Sequence, residues 1–224
     1  MDIQTLSVNG WQMRMRIPEG EGLHPVHLLL HGWTGDETKM WVFANRFPKD
    51  HLLIAPRGIY PAPGGGYAWH TNPNRSAPRV EDFRTAVDNL ASLFNNVVLP
   101  GGDHAHLNIT GFSEGAALAY TFGMLCPSNV KAIAGLSGFL PEDAISYIDH
   151  QPLTGKNIFI THGTRDKLVP VSRARNAAEL LESAGASVTY CEDDVGHKLS
   201  AGCFRGLAAF YAQQSRYNTD DELI

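Results

Sequence analysis

Residues 107–125 read LNITGFSEGAALAYTFGML. Leu107–Thr110 is a short apolar run of the kind that forms a strand, and Glu114–Leu125 has the composition of a helix. Between them Gly111-Phe112-Ser113-Glu114-Gly115 matches G-x-S-x-G. A strand that turns sharply into a helix holds a serine in a strained, exposed position. Glycines two residues away on either side avoid a steric collision there. The pentapeptide alone is weak, because glycine and serine are common. With a strand before it and a helix after it, Ser113 reads as a nucleophile rather than a plain turn residue.

Working outward, apolar runs recur at Val26–Leu30, Leu52–Ala55, Val130–Leu136, Asn157–Thr161 and Ser187–Cys191. Continuous apolar strands suggest a sheet buried on both faces. Helices are expected near Thr38–Phe47, Arg79–Phe94, Pro141–Ile148, Arg173–Ala184 and Ala201–Gln213. Ser172 and Ser200 suit N-caps for the last two, and Gly185 suits a helix stop. In the last helix Phe204, Leu207, Ala208 and Tyr211 form one apolar stripe. At the N-terminus, Thr5–Val8 and Trp11–Ile17 flank Asn9-Gly10, a hairpin signal. A hairpin followed by alternating strands and helices predicts an α/β fold, a doubly wound, mostly parallel sheet with an antiparallel edge. The one long irregular stretch, Pro56–Pro78, carries Tyr60, Tyr67 and Trp69, which favours a functional loop.

The chain of 224 residues suits one sizeable core, and no boundary interrupts it, so residues 1–224 read as a single domain. Hydrophobic content of 43% and charged content of 18% fit an ordinary globular protein. A formal net charge of −5 gives no basic patch for nucleic acid or an anionic membrane. The first residues lack a secretory pattern, and no apolar run approaches the roughly 18 residues of a membrane helix. Cys126, Cys191 and Cys203 are odd in number and widely spaced. They read as small buried hydrophobes in a reducing cytoplasm rather than a disulfide framework or zinc cluster. Asp103-His104-Ala105-His106 stands in a Gly-rich loop without further ligands at a suitable spacing, so no metal is expected. The C-terminal DDELI reads as an acidic, frayed end.

A serine hydroxyl needs a base, and the base needs an orienting acid. With this strand–serine–helix turn, the order along the chain is serine, acid, histidine. His197 sits in Asp194-Val195-Gly196-His197-Lys198, after a predicted strand and before the last helix. His150 ends a helix and His162 closes a strand, so neither competes. Asp166, in the loop after Asn157–Thr161, is the expected acid. Asp193 and Asp194 are rivals, but they stand on the histidine's own loop, where reaching back is harder. The developing oxyanion needs amide donors. The Glu114 amide, at the positive end of its helix, is one. Trp33, in His31-Gly32-Trp33-Thr34-Gly35, supplies the other, with Gly32 next.

The stretches LLLHGWTG (28–35), APRG (55–58), GFSEGAALA (111–119), GLSGFLP (135–141), HGTRDKLVP (162–170) and VGHKLS (195–200) cover nearly the whole chain in order. Together they resemble the carboxylesterase/lysophospholipase branch of the α/β hydrolases, which includes acyl-protein thioesterases. The resemblance implies an α/β-hydrolase fold without a large cap and a catalytic triad of Ser113, Asp166 and His197. It also implies an oxyanion hole from the Trp33 and Glu114 amides and a Trp-containing segment, Tyr67-Ala68-Trp69, near the acyl pocket. It departs at Glu114, where thioesterase relatives usually carry Gln, which weakens protein depalmitoylation and leaves a plain esterase.

The expected activity is hydrolysis of short- to medium-chain esters by acyl transfer through Ser113, with no cofactor. Lysophospholipase or acyl-protein thioesterase activity is the alternative within the class. A non-catalytic binding protein on the same fold is the alternative outside it. The implied partner is a small-molecule ester, without nucleic acid or stable membrane association; a homodimer is left open. Trp69, Tyr67, Phe139 and Leu140, with Trp33, are the expected walls of a shallow substrate groove. A carboxylate at Glu114 beside the nucleophile is expected to disfavour anionic substrates.

Overall fold

The computed structural model describes residues 2–20, 22–72, 77–96 and 101–220; residues 221–224 of the acidic end and residues 73–76 of the long loop lie outside them. Asn9 and Gly10 both take positive φ, 48° and 82°, as a tight two-residue hairpin turn demands. They join β1 (Asp2–Val8) to β2 (Trp11–Ile17) with Val8 opposite Trp11. Met13 and Met15 of β2 point into the core. Arg16 breaks the alternation because its buried guanidinium donates to the carbonyls of Ala44 and Pro48.

The remaining strands are β3 (His24–Leu30), β4 (Leu52–Pro56), the short pair β5 (Tyr60–Pro61) and β6 (Tyr67–Ala68), β7 (Gly102–Phe112), β8 (Val130–Leu136), β9 (Asn157–Gly163) and β10 (Ser187–Asp193). The main sheet has eight strands in the order β1-β2-β4-β3-β7-β8-β9-β10. Neighbours are parallel from β4 to β10, whereas β2 meets both β1 and β4 antiparallel. Helices α1 (Arg84–Asn96), α2 (Glu114–Leu125) and α3 (Val171–Ser183) cover one face. A 3-10 helix, Lys39–Arg46, and α4 (Ala201–Asp220) cover the other. Strand alternation feeds both cores: Leu28 and Leu30 pack on one side, Leu29 on the other. Each such buried leucine contributes about 1.5–3 kcal/mol of transfer free energy. Helix α2 is buried all round, which explains its lack of a polar stripe.

Several local expectations change. β7 begins at Gly102, so Asp103–His106 is strand rather than loop. The helix expected over Pro141–Ile148 shrinks to a single 3-10 turn, Ala144–Tyr147, because the Asp143 carboxylate is taken by the Val80 amide and Arg79. Helix α3 starts after Pro170 and not at Ser172, whereas the Ser200 hydroxyl does accept the Cys203 amide at 3.0 Å. The stripe of α4 runs through Cys203, Leu207, Phe210 and Tyr211, with Phe204 and Ala208 only half-buried. The cysteine reading is corrected as well. Cys191 on β10 and Cys203 in the first turn of α4 form a disulfide, their Cα atoms 5.7 Å apart. Only Cys126 keeps a free thiol. Among the described residues no helix is long and apolar enough to cross a membrane.

Candidate active site

Loops leaving the carboxyl ends of β3, β7, β9 and β10 converge, as expected for a site on an open parallel sheet. After β7 the chain makes its sharpest turn. Ser113 has φ 54° and ψ −115° at the N-terminus of α2, a conformation that costs about 1–3 kcal/mol. Its amide donates to the Leu136 carbonyl at 2.8 Å, and its carbonyl accepts from Ala116 and Ala117, so the turn is held from both sides. A Cβ at position 111 would overlap the Gly115 carbonyl, and one at position 115 would strike the carbonyls of Leu30 and His31. Those collisions are why both glycines flank the serine.

The loop His31–Gly35 is packed directly on this turn: a Cβ on Gly32 would lie 3.2 Å from Ser113 Cβ and from the Phe112 carbonyl. His31 locks the loop. The Gly58 amide donates to its Nε2 at 2.8 Å, so Nδ1 carries the proton and donates to the Gly32 carbonyl at 2.8 Å. Burial holds His31 below the usual histidine range, which keeps that neutral tautomer. Trp69 Nε1 donates to the His31 carbonyl at 2.8 Å, and the Tyr67 amide donates to Gly35. Trp33 and Glu114, the expected oxyanion donors, therefore belong to segments that both pack on Ser113.

The Glu114 side chain does not face the substrate side. It is buried, and its Oε1 accepts the Trp69 amide at 2.9 Å with His70 Nε2 3.6 Å away. This corrects the expected effect of its charge: the carboxylate holds the Trp69 segment from below. Glu114→Gln keeps an acceptor for that amide. It should change the kcat/KM ratio of carboxylate-bearing to neutral esters by less than about twofold, even at low salt. A larger shift would put the carboxylate in the groove.

Asp166 follows β9, and its carboxylate is completely buried. Oδ1 accepts the amides of Leu168 (2.9 Å) and Val169 (3.0 Å), while Oδ2 accepts His197 Nδ1–H at 2.6 Å. Burial alone would raise this carboxyl, but the bonds from Val169, His197 and Leu168 together hold it below the usual carboxylate range. A Cβ on Gly163 would overlap the carbonyls of Val195 and Gly196, and the Arg165 amide donates to Val195 at 3.0 Å. The acid and histidine loops are thus pressed together by a missing side chain. The His197 ring stands 5.0 Å from the ring of Phe112, the residue before the serine. Among the described residues no hydrogen bond yet joins His197 to Ser113, a looseness common until substrate tightens such sites. The rivals turn away: Asp193 caps the Asp194 amide, and Asp194 pairs with Arg165 in solvent.

A groove of about 380 Å³ borders these loops. Gly32 and Trp33 line it beside the serine turn, Met40, Val42 and Phe43 come from the 3-10 helix, and Phe112 and Leu199 close it. Of the expected walls Trp33 lines this groove, and the other four lie elsewhere. Trp69 is wholly buried beneath the His31 loop, and Phe139 and Leu140 are in the core. Phe139 is covered by the Arg173 guanidinium. Tyr67 lines a separate hollow with Arg57, whose charge is paired to Glu37. The Trp69 ring is used up in supporting the His31 loop. The amphipathic Lys39–Arg46 segment is what lines this groove on the far side from the serine turn.

This sheet, elbow and acid–histidine pair define an α/β hydrolase. Residues 17–213 match the phospholipase/carboxylesterase family, and the chain belongs to it. An acyl-protein thioesterase 1 from Gibberella zeae is 33% identical over 84 residues, 36% of this chain and 35% of that protein. A probable inactive carboxylesterase from Oryza sativa subsp. japonica is 26% identical over 121 residues, 53% of this chain and 49% of that one. The chain thus spans a third to a half of the length of these curated relatives. A carboxylesterase structure from Mesorhizobium loti superposes with a TM-score of 0.81 at 22% identity, covering 95% of this chain and 99% of that one.

Proposed function

We propose that this protein is a serine carboxylesterase acting on short- to medium-chain carboxylic esters, with Ser113, His197 and Asp166 as its triad. The observation that carries this reading is the 2.6 Å bond between the buried Asp166 and His197 Nδ1, on a loop adjoining the strained Ser113 turn. Bonded there, His197 presents Nε2 as the base. Ser113 Oγ attacks the acyl carbon and gives its proton to Nε2. The amides of Trp33 and Glu114 receive the oxyanion, and the proton then passes to the leaving alcohol. Water repeats the sequence on the acyl-enzyme, returning the proton to Ser113. A fluorophosphonate probe tests this: one mole bound per mole of wild type and none on Ser113→Ala is the expected result. The reading of a non-catalytic binding protein, which the name of the rice relative brings to mind, predicts no labelling.

The groove supports the chain-length reading. At about 380 Å³ it is at the small end of ligand sites. Between β8 and β9 the chain forms only the Ala144–Tyr147 turn rather than a helical lid. Each acyl methylene adds about 0.8 kcal/mol only while it is being buried. Specificity on p-nitrophenyl esters should therefore rise over the first few carbons and level before long fatty acyl chains. Phe43→Ala should flatten the rise. A steady climb to palmitoyl esters, or activation at micelles, would favour lysophospholipase or thioesterase activity instead.

A further inference from the structure

We propose that His162 is a positioning residue whose Nε2–H steadies the charge and orientation of the Asp166 carboxylate; this rests on the triad reading above. His162 ends β9, four residues before Asp166, and its side chain is completely buried. Nε2 lies 2.8 Å from the Val169 carbonyl and 3.3 Å from Asp166 Oδ2. A carbonyl only accepts, so Nε2 carries the proton and donates it to Val169, which leaves the positive end of that N–H dipole 3.3 Å from the carboxylate. Asp166 Oδ2 thereby sits between two imidazoles, His197 Nδ1 on one side and His162 Nε2 on the other.

The cost of this arrangement argues that the N–H matters. With Nε2 protonated, His162 Nδ1 is an acceptor, and it is buried without a hydrogen-bond partner. A residue that only filled space would serve better as an apolar side chain, since an unpaired buried nitrogen is a net loss. The ionisable groups around His162 are Asp166, His197 and Glu192, its neighbour on β10. Glu192 is occupied by both Arg175 nitrogens and the Tyr190 hydroxyl. Burial, the largest influence on His162, keeps it below the usual histidine range. It therefore offers Asp166 a neutral dipole rather than a second cation that would compete for the carboxylate.

Two substitutions separate the N–H from mere bulk. His162→Leu removes the donor, and His162→Gln places an amide N–H at the same reach from the backbone. On a neutral short-chain ester, His162→Leu should lower kcat roughly tenfold with KM little changed. Without the neighbouring N–H dipole the carboxylate holds the imidazolium more tightly. The acid limb of kcat/KM should therefore move up by about half a pH unit or more. His162→Gln should restore most of both, and in an Asp166→Asn background His162→Gln and His162→Leu should add no further loss. A wild-type kcat and limb in His162→Leu would overturn the proposal, as would His162→Gln behaving like His162→Leu. If His162→Leu fails to fold, His162→Met takes its place under the same criteria. Fluorophosphonate labelling of each variant keeps the two readings apart. Unlabelled wild type defeats the triad itself, whereas labelled variants with unchanged kinetics defeat only His162.

Discussion

Ser113→Ala and His197→Ala should each lower kcat by roughly 10³-fold or more, and the double variant should lose scarcely more than either alone. The reason is geometric. Ser113 is held at φ 54° between the Leu136 carbonyl and the first turn of α2, so its hydroxyl is placed but not activated. Activation needs a base whose other nitrogen is already engaged, and His197 Nδ1 is bonded to Asp166. With either partner gone, what remains is the oxyanion hole and substrate binding, so the second removal finds little left to lose. Near-wild-type turnover by Ser113→Ala would remove the serine from the chemistry. Additive losses would mean that the two side chains do not act as a unit.

Asp166→Asn should cost on the order of 10²–10⁴ in kcat. The asparagine matches the shape but cannot offset the imidazolium, and its amide can turn a donor toward Nδ1 and impose the wrong tautomer. The Leu168 and Val169 amides at Oδ1 fix which oxygen faces His197. The loss should therefore appear in kcat with a fold that stays intact, checked by thermal melting. Asp193→Asn and Asp194→Asn should stay near wild type, because those carboxylates serve the Asp194 amide and Arg165. If either of them is the crippling change and Asp166→Asn is mild, the acid has been misplaced.

Much of the fold and of the candidate site is legible in the sequence, for identifiable reasons. Leu28, Leu29 and Leu30 announce a strand buried on both faces. Asn9-Gly10 announces the hairpin, and Gly111 and Gly115 announce a close approach around Ser113. All are local signals. What stayed hidden depends on tertiary neighbours. Trp69 reads as a pocket wall because large aromatics on a long loop often are, yet its indole is consumed by the His31 carbonyl. Glu114 reads as a charge beside the nucleophile, and only the path of the 67–69 segment shows that its carboxylate turns inward. His162 reads as a strand end because nothing in a His-Gly pair tells which oxygen its N–H will meet. Cys191 and Cys203 are 12 residues apart, a spacing that says nothing until the intervening loop folds back.

That bridge has an experimental consequence. The chain between the two sulfurs is the segment that carries His197, so the histidine rides on a closed covalent ring. The aspartate and serine sit on open chain. Closing a ring of this size withdraws about 3 kcal/mol of freedom from the unfolded protein. It also limits how far the histidine can stray when the neighbouring backbone breathes. A reductant added by habit to protect Cys126, the one free thiol, would cut that ring. Preparations with and without it would hold two different molecules, and rate constants measured on one should not be compared with those measured on the other.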